Sequence, residues 1–249
     1  AYHHHLNGTL DKTISGKNTK DWYFFSPNHI EIDKDRTGSN HPKLKTPNKN
    51  VHQKFDFSEW NFPNYKEHYQ NVGLELFGYE KLIIISNKYN FEWGKNPINY
   101  IHPQTLNLIF EYLTNKGYTI IYNRLISSMG YNDGVDCLEL GDFELIDKSY
   151  PNIITIQYLM ECYDMEFNEL QLKLYSTCNN FISIQGGTSL ISSMFGGVNL
   201  ILNNVGGENG SGIYEDVFPK LSNVNLNIVG SQSTNTNGGG VEFEQSQID

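Results

Sequence analysis

The sequence predicts an α/β fold, a parallel sheet with helices on both faces. Three observations predict it. Short apolar runs recur as continuous blocks rather than alternations, among them KLIIIS at Lys81–Ser86, FISIQ at Phe181–Gln185 and VNLIL at Val198–Leu202. Strands buried on both faces read this way. Amphipathic helical patterns stand between the runs, and strands that alternate with helices pair in parallel. In FISIQGGTSLISSMFGGVNLILNN (Phe181–Asn204), a strand ends in Gly-Gly, a short helix follows, another Gly-Gly stops it, and a second strand begins.

In chain order, residues 1–78 carry little periodicity. One strand is expected there, at Trp22–Ser26. Residues 33–66 are polar, with Pro42, Pro47 and Pro63, and read as a long loop. Phe55, Phe57, Trp60, Phe62 and Tyr65 would pin that loop to a surface. Lys81–Ser86 is the first buried strand. His102–Lys116 reads as a helix, because Pro103 stands at its start and Leu106, Ile109, Phe110 and Leu113 share a face. Tyr118–Asn123 is the next strand, Phe143–Lys148 a short helix and Ile153–Leu159 a third strand. Phe167, Leu170, Leu174 and Cys178 are spaced for another helix. The Phe181–Asn204 unit follows. VGGENGSG then reads as a loop, Tyr214–Leu221 as a short helix and Val224–Val229 as a sixth strand. Residues 231–249 are of low complexity and are expected to be disordered.

Composition excludes several classes. The chain has 249 residues and a formal net charge of −10, which argues against a nucleic-acid backbone as partner. Cys137, Cys162 and Cys178 form no CxxC pair, so neither a zinc site nor a disulfide framework is indicated, and a reducing compartment is expected. No apolar run reaches the roughly 20 residues that span a bilayer. The expected location is cytoplasmic, either free or peripheral to a membrane.

Ligands of open parallel sheets sit at the carboxyl ends of the strands. The Gly186–Ser189 loop lies at such an end. Backbone N–H groups at a helix start attract anions, and Gly186 and Gly187 would let a phosphate approach the chain. The alternative is that the glycines only make a tight turn between strand and helix.

FNELQLKLYSTCNNFISIQGGTSLISSMFGGVNLIL resembles the donor-binding, C-terminal domain of GT-B glycosyltransferases, in its heptosyltransferase-like and fucosyltransferase-like branches. KLIIISNKYNFEWG looks like the first strand and basic loop of that domain. The resemblance covers residues 79–230. It extends weakly to HHHLNG and DWYFFSPNHIE near the N-terminus. It implies a Rossmann-like nucleotide-sugar-binding domain at 79–230, an irregular N-terminal acceptor-side region at 1–78 and a tail at 231–249. Residues 1–78 are short for a complete first domain, so the chain is read as a fragment or as having a reduced one.

The implied activity is transfer of a sugar from a nucleotide-sugar donor to a glycan acceptor, with neither metal nor cofactor. The residues matching the donor side are Lys88, Arg124, Gln157, Tyr158, Gly186, Gly187, Thr188, Ser189 and Glu208. Lys88 follows the first strand and is preferred to Lys95. Gln157 and Tyr158 would contact the base, and Glu208 the ribose. The general base would come from the N-terminal region, where His4, His5 and His29 are the candidates. His3 belongs to the same cluster as His4 and His5, and Asp21, Glu31 and Asp33 are weaker alternatives. Two other readings stay open. One is a non-catalytic module that binds a glycan or a partner protein. The other is a dinucleotide-dependent enzyme, against which stands the absence of GxGxxG after the first strand.

Overall fold

The computed structural model describes residues 1–32, 61–70, 74, 81–91, 96–126, 137–204, 213–230 and 240–241. In chain order the elements are α1 (Tyr2–Leu6), β1 (Thr13–Gly16), a 3-10 turn (Lys20–Tyr23), β2 (His29–Ile32) and α2 (Tyr65–Tyr69). Next come β3 (Leu82–Ser86), β4 (Tyr100–Ile101), α3 (Pro103–Asn115), β5 (Thr119–Asn123), α4 (Asp142–Ser149), β6 (Ile154–Thr155), α5 (Ile156–Tyr163) and α6 (Phe167–Thr177). The last group is β7 (Asn180–Ile184), α7 (Gly187–Ser193), β8 (Val198–Asn203), a π-helical turn (Ile213–Val217), α8 (Phe218–Ser222), β9 (Asn225–Gly230) and β10 (Gly240–Val241).

Six strands form one sheet in the order β6-β5-β3-β7-β8-β9, and every pairing is parallel. The chain starts at the central β3, builds outward through β5 and β6, then returns to the other side of β3 and builds outward again. That is a Rossmann-like, doubly wound order, and it has a switch point between β3 and β7. Right-handed crossovers send the helices of the two halves to opposite faces. Side chains of β3 show the result. Ile83 and Ile85 pack with Leu106, Ile109, Phe110 and Leu113 of α3. Ile84 packs with Leu170, Leu174 and Tyr175 of α6. Ile84 and Ile85 are both fully buried. This is why LIIIS carries no polar alternation.

The N-terminal region shares that core. Tyr65 and Tyr69 of α2 lie in the same cluster as Ile84, Ile121 and Phe181. The Tyr65 hydroxyl donates to Trp22 O (3.1 Å) and that of Tyr69 to Asp21 O (2.5 Å). Phe62, expected to pin the long loop, lies 6.1 Å from Phe218, centroid to centroid. Phe55, Phe57 and Trp60 lie outside the described residues.

Four expectations are corrected. Trp22–Ser26 is not a strand, since Lys20–Tyr23 forms a 3-10 turn. Aromatic residues favour strands, but Trp22 and Phe24 turn into an aromatic cluster, 5.3 Å and 5.9 Å from the Tyr65 ring. Packing outweighs propensity here. Of Ile153–Leu159 only Ile154–Thr155 is strand. The Thr155 side chain caps α5 by accepting from Tyr158 N–H, and Ile156 and Leu159 bury one helical face. Residues 1–32, read as irregular apart from Trp22–Ser26, hold β1 and β2, which pair in parallel with Thr13 opposite His29. In the tail, Gly240–Val241 pairs with Tyr100–Ile101 and Val241 is fully buried.

Gly197 has φ +71°, and a Cβ there would lie 2.3 Å from Asn179 O. Gly197→Ala should therefore destabilise the fold by about 1–3 kcal/mol from backbone strain alone. Gly16→Ala, which meets nothing within 4 Å, should stay within about 0.5 kcal/mol. Urea unfolding followed by circular dichroism measures both, and equal midpoints for the two variants would refute the assignment.

Candidate functional site

Strands that are apolar along their length turn polar at their carboxyl ends. β3 runs into Ser86, Asn87 and Lys88, β5 into Asn123 and Arg124, and β7 into Gln185. All of these except Lys88 are buried. Buried polar groups are hydrogen-bonded as a rule, and two networks engage those at the ends of β3 and β5 on the two faces of the sheet.

On the α6 face, the Tyr175 hydroxyl lies 2.5 Å from Ser86 Oγ and accepts from Asn123 Nδ2 (2.7 Å). On the α3 face, Asn87 Nδ2 donates to the Tyr122 hydroxyl (3.0 Å), which donates to Asp142 Oδ2 (2.5 Å). Arg124 completes the chain with Nε to Asp142 Oδ2 (2.5 Å) and Nη2 to Oδ1 (2.8 Å). Burial first, and the Asp142 carboxylate second, hold the Tyr122 phenol well above its ordinary pKa. The phenol therefore stays protonated and can donate. Asn87 Oδ1 also accepts from Lys88 N–H (2.9 Å) and from Ile101 N–H (2.8 Å). The loop after β3 is thus fixed from below.

That loop carries Lys88 to the β7–α7 turn. Gly186 has φ +120°, and a Cβ added there would sit 3.1 Å from Lys88 Nζ. A side chain at this position would need a backbone conformation that L residues avoid, and its Cβ would make a tight contact with the ammonium. Lys88 and Gly186 meet at the switch point between β3 and β7, and Gly187 beside them is exposed. The first N–H groups of α7, from Gly187 and Thr188, have no acceptor within the helix.

The remaining candidates distribute as follows. Thr188 Oγ1 donates to Ile184 O (2.7 Å). Ser189 is fully buried. Its hydroxyl accepts from Gly186 N–H (3.1 Å) and lies 2.8 Å from Gly186 O and 2.7 Å from the Tyr214 hydroxyl. Both side chains fasten the loop, so Ser189 is a cap rather than a surface that could meet a phosphate. Arg124 is likewise not a solvent-facing cation. Its side chain and that of Asp142 are both 0% exposed, and its guanidinium also lies over the Phe143 ring at 4.6 Å. Gln157 and Tyr158 sit on α5 rather than ending a strand. Gln157 Nε2 donates to Arg124 O (2.6 Å), which keeps it at the carboxyl end of β5, and Tyr158 is 58% exposed. Glu208 and Lys95 lie outside the described residues.

The histidines form a separate group. His29 uses both ring nitrogens, Nδ1 with Thr13 Oγ1 (2.7 Å) and Nε2 with Thr19 Oγ1 (3.3 Å), and stacks on Tyr23 at 4.7 Å. His4 Nδ1 lies 3.0 Å from Thr9 Oγ1, and His5 stacks on Tyr2 at 5.7 Å. These contacts stay within the N-terminal region, and none of them is with Lys88 or Gly186. Glu31 accepts from Thr19 and Lys20 N–H at 2.8 Å each. Partial burial pushes its carboxyl up, but these bonds, one from Asn18 and the nearby His29 together hold it below the ordinary value. Among the described residues no group of three His, Cys, Asp or Glu could hold a metal ion.

Sequence reasoning missed Asn87, Tyr122, Asp142 and Tyr175. Asn87 had a signal, a polar residue directly after an apolar strand. Asp142 had a weaker one, a carboxylate opening a helix behind Gly141. Removing one partner of a buried pair leaves an uncompensated charge. Asp142→Ala should therefore cost about 3–5 kcal/mol in urea unfolding. The paired change Arg124→Met with Asp142→Leu should cost far less, and an equal loss in both would refute the arrangement.

No protein-family model matches the chain, and no curated protein sequence matches it. Among solved structures, the chain is similar to the E. coli ADP-heptose LPS heptosyltransferase II, at 11% identity and a TM-score of 0.46. The match covers 75% of this chain and 49% of that one, so the chain spans about half the length of that protein. At this distance the likeness is one of chain arrangement and does not reach the chemistry.

Proposed function

We propose that the chain is a glycosyltransferase, or the donor-binding part of one, that transfers a sugar from a nucleotide-sugar donor to a glycan acceptor without a metal. The observation that carries this reading is the approach of Lys88 Nζ to Gly186 at the switch point. Sugar transfer breaks the bond between the anomeric carbon and the diphosphate oxygen while the acceptor oxygen attacks. Negative charge grows on the leaving diphosphate, and a fixed cation beside backbone N–H groups stabilises it. Lys88, Gly187 and Thr188 would supply those groups. Gly186 leaves room for the phosphate against the backbone, and Tyr158 offers an exposed ring for the base. Glu208 would meet the ribose. A base must take the acceptor proton, and His4, His5 and His29 remain the proposal for it.

A second reading rests on those histidines. Both nitrogens of His29 are already engaged, and none of the three contacts the Lys88–Gly186 corner. A module that binds a donor-like ligand or a glycan without turnover fits that separation.

Calorimetric titration with UDP, GDP, ADP and CMP tests the binding half. One nucleotide should saturate, and at 100 times its dissociation constant it should stabilise the protein by about 2.7 kcal/mol. Lys88→Ala should weaken that binding at least about tenfold, the scale of one charge-assisted hydrogen bond. Gly186→Val should weaken it as much. Folded protein that responds to none of the four would overturn the reading, and saturation by NAD alone would favour a dinucleotide enzyme. Binding with no transfer to any glycan acceptor would favour the module.

A further inference from the structure

A second feature lies at the opposite end of the sheet and on one face. Right-handed connections place α6, α7 and α8 on the far side of β7, β8 and β9. On the near side, α3 covers β3 and β5, and no helix among the described residues covers β7 to β9. A groove of about 580 Å³ runs there, beside α3. Its floor is Ile83, Ile182 and Leu200, and Val198 and Val229 are 42% and 39% exposed. Parallel sheets normally have both faces covered. Helices pack about 8–10 Å apart, close to two strand spacings. One helix laid beside α3 would therefore lie over β7 and β8.

Two details identify the occupant. β9 reads Asn-Leu-Asn-Ile-Val. Leu226 and Ile228 pack on the far face, while Asn225 and Asn227 are exposed. By the register, Asn225, Asn227 and Val229 line up with Val198, Leu200 and Leu202 on the groove face. An apolar floor with a polar rim is the anatomy of a reversible protein interface, not of a permanently buried sheet. The charged residues lining the groove are Lys81 and Lys116, both exposed. Lys81 Nζ donates to Lys116 O (3.0 Å), which holds the pair together at the amino ends of the strands. α3 runs antiparallel to the strands and ends there. A docked helix running in the same sense would set the negative end of its dipole, and any carboxylates in its last turn, against these lysines.

We propose that this groove is a docking site for an amphipathic helix of a separate polypeptide, running parallel to α3 and carrying acidic residues in its last turn. The site is distinct from the Lys88–Gly186 corner and stands or falls independently of it.

The probes are stapled, fluorescein-labelled helical peptides of about 14 residues. They carry leucine at heptad spacing and end in either glutamates or lysines. Fluorescence anisotropy against the full chain should show saturable binding with the glutamate peptide preferred. Val198→Asp with Val229→Asp should weaken it at least about tenfold. Lys81→Glu with Lys116→Glu should invert the preference between the two peptides. All four positions are exposed, and thermal melts check that the variants fold. Absence of saturable binding, or binding indifferent to the Val198 and Val229 changes, overturns the proposal. So does a concentration-dependent dimer in sedimentation that those changes abolish, because the occupant would then be a second copy of this chain.

Discussion

Asn87 is the joint on which the functional end of the sheet depends. An amide side chain has two donors and two acceptor positions, and Asn87 uses all four. It accepts from Lys88 N–H and Ile101 N–H, and it donates to Ile101 O and the Tyr122 hydroxyl. One side chain, 2% exposed, thereby ties together the end of β3, the short β4, the carboxyl-terminal part of β5 and the backbone of Lys88. Replacement by a residue of another shape would leave several buried groups without partners at once, each a desolvation loss.

From this joint the polar order spreads outward. Tyr122 passes it to Asp142, and Asp142 to Arg124, so the helix start of α4 is locked to the end of β5. Gln157 then reaches Arg124 O from α5. On the other face, Tyr175 links Ser86 and Asn123. The carboxyl ends of β3 and β5 are thus braced from both sides, and Lys88 projects from a rigid base toward Gly186. A pre-organised cation of this kind needs little rearrangement to stabilise growing charge, which is what the proposed chemistry asks of it.

Much of the fold was legible because burial on both faces leaves a continuous apolar imprint. KLIIIS, YTIIYN, FISIQ and VNLIL all mark strands, and the 3.6-residue spacing of α3 and α6 is plain. Short elements were less legible. In IITIQYL a run of seven residues served equally as strand or helix, and the Thr155 cap decided it. The parallel pair β1–β2 joins segments that are unremarkable alone, and β10 finds β4 only in three dimensions. At the site, Lys88 and Gly186 could be named from their places after strands, but their mutual approach could not. The roles of Arg124 and Ser189 were misread for one reason. A sequence shows which groups can bind an anion, not which are already consumed by Asp142 or by Gly186 and Tyr214.

The central place of β3 has a consequence for how the chain reaches this state. Ile84 pairs with Ile121 on one side and with Phe181 on the other. The first contact closes a short loop through α3. The second must wait until β5, β6, α5 and α6 have been laid down. Loop closure costs more entropy as the intervening chain lengthens, and non-local parallel pairing is slow. The β3-α3-β5 contacts therefore close at a lower entropic cost than those that join β3 to β7. The Lys88–Gly186 corner lies on the seam between the two, so it exists only where β3 and β7 are paired.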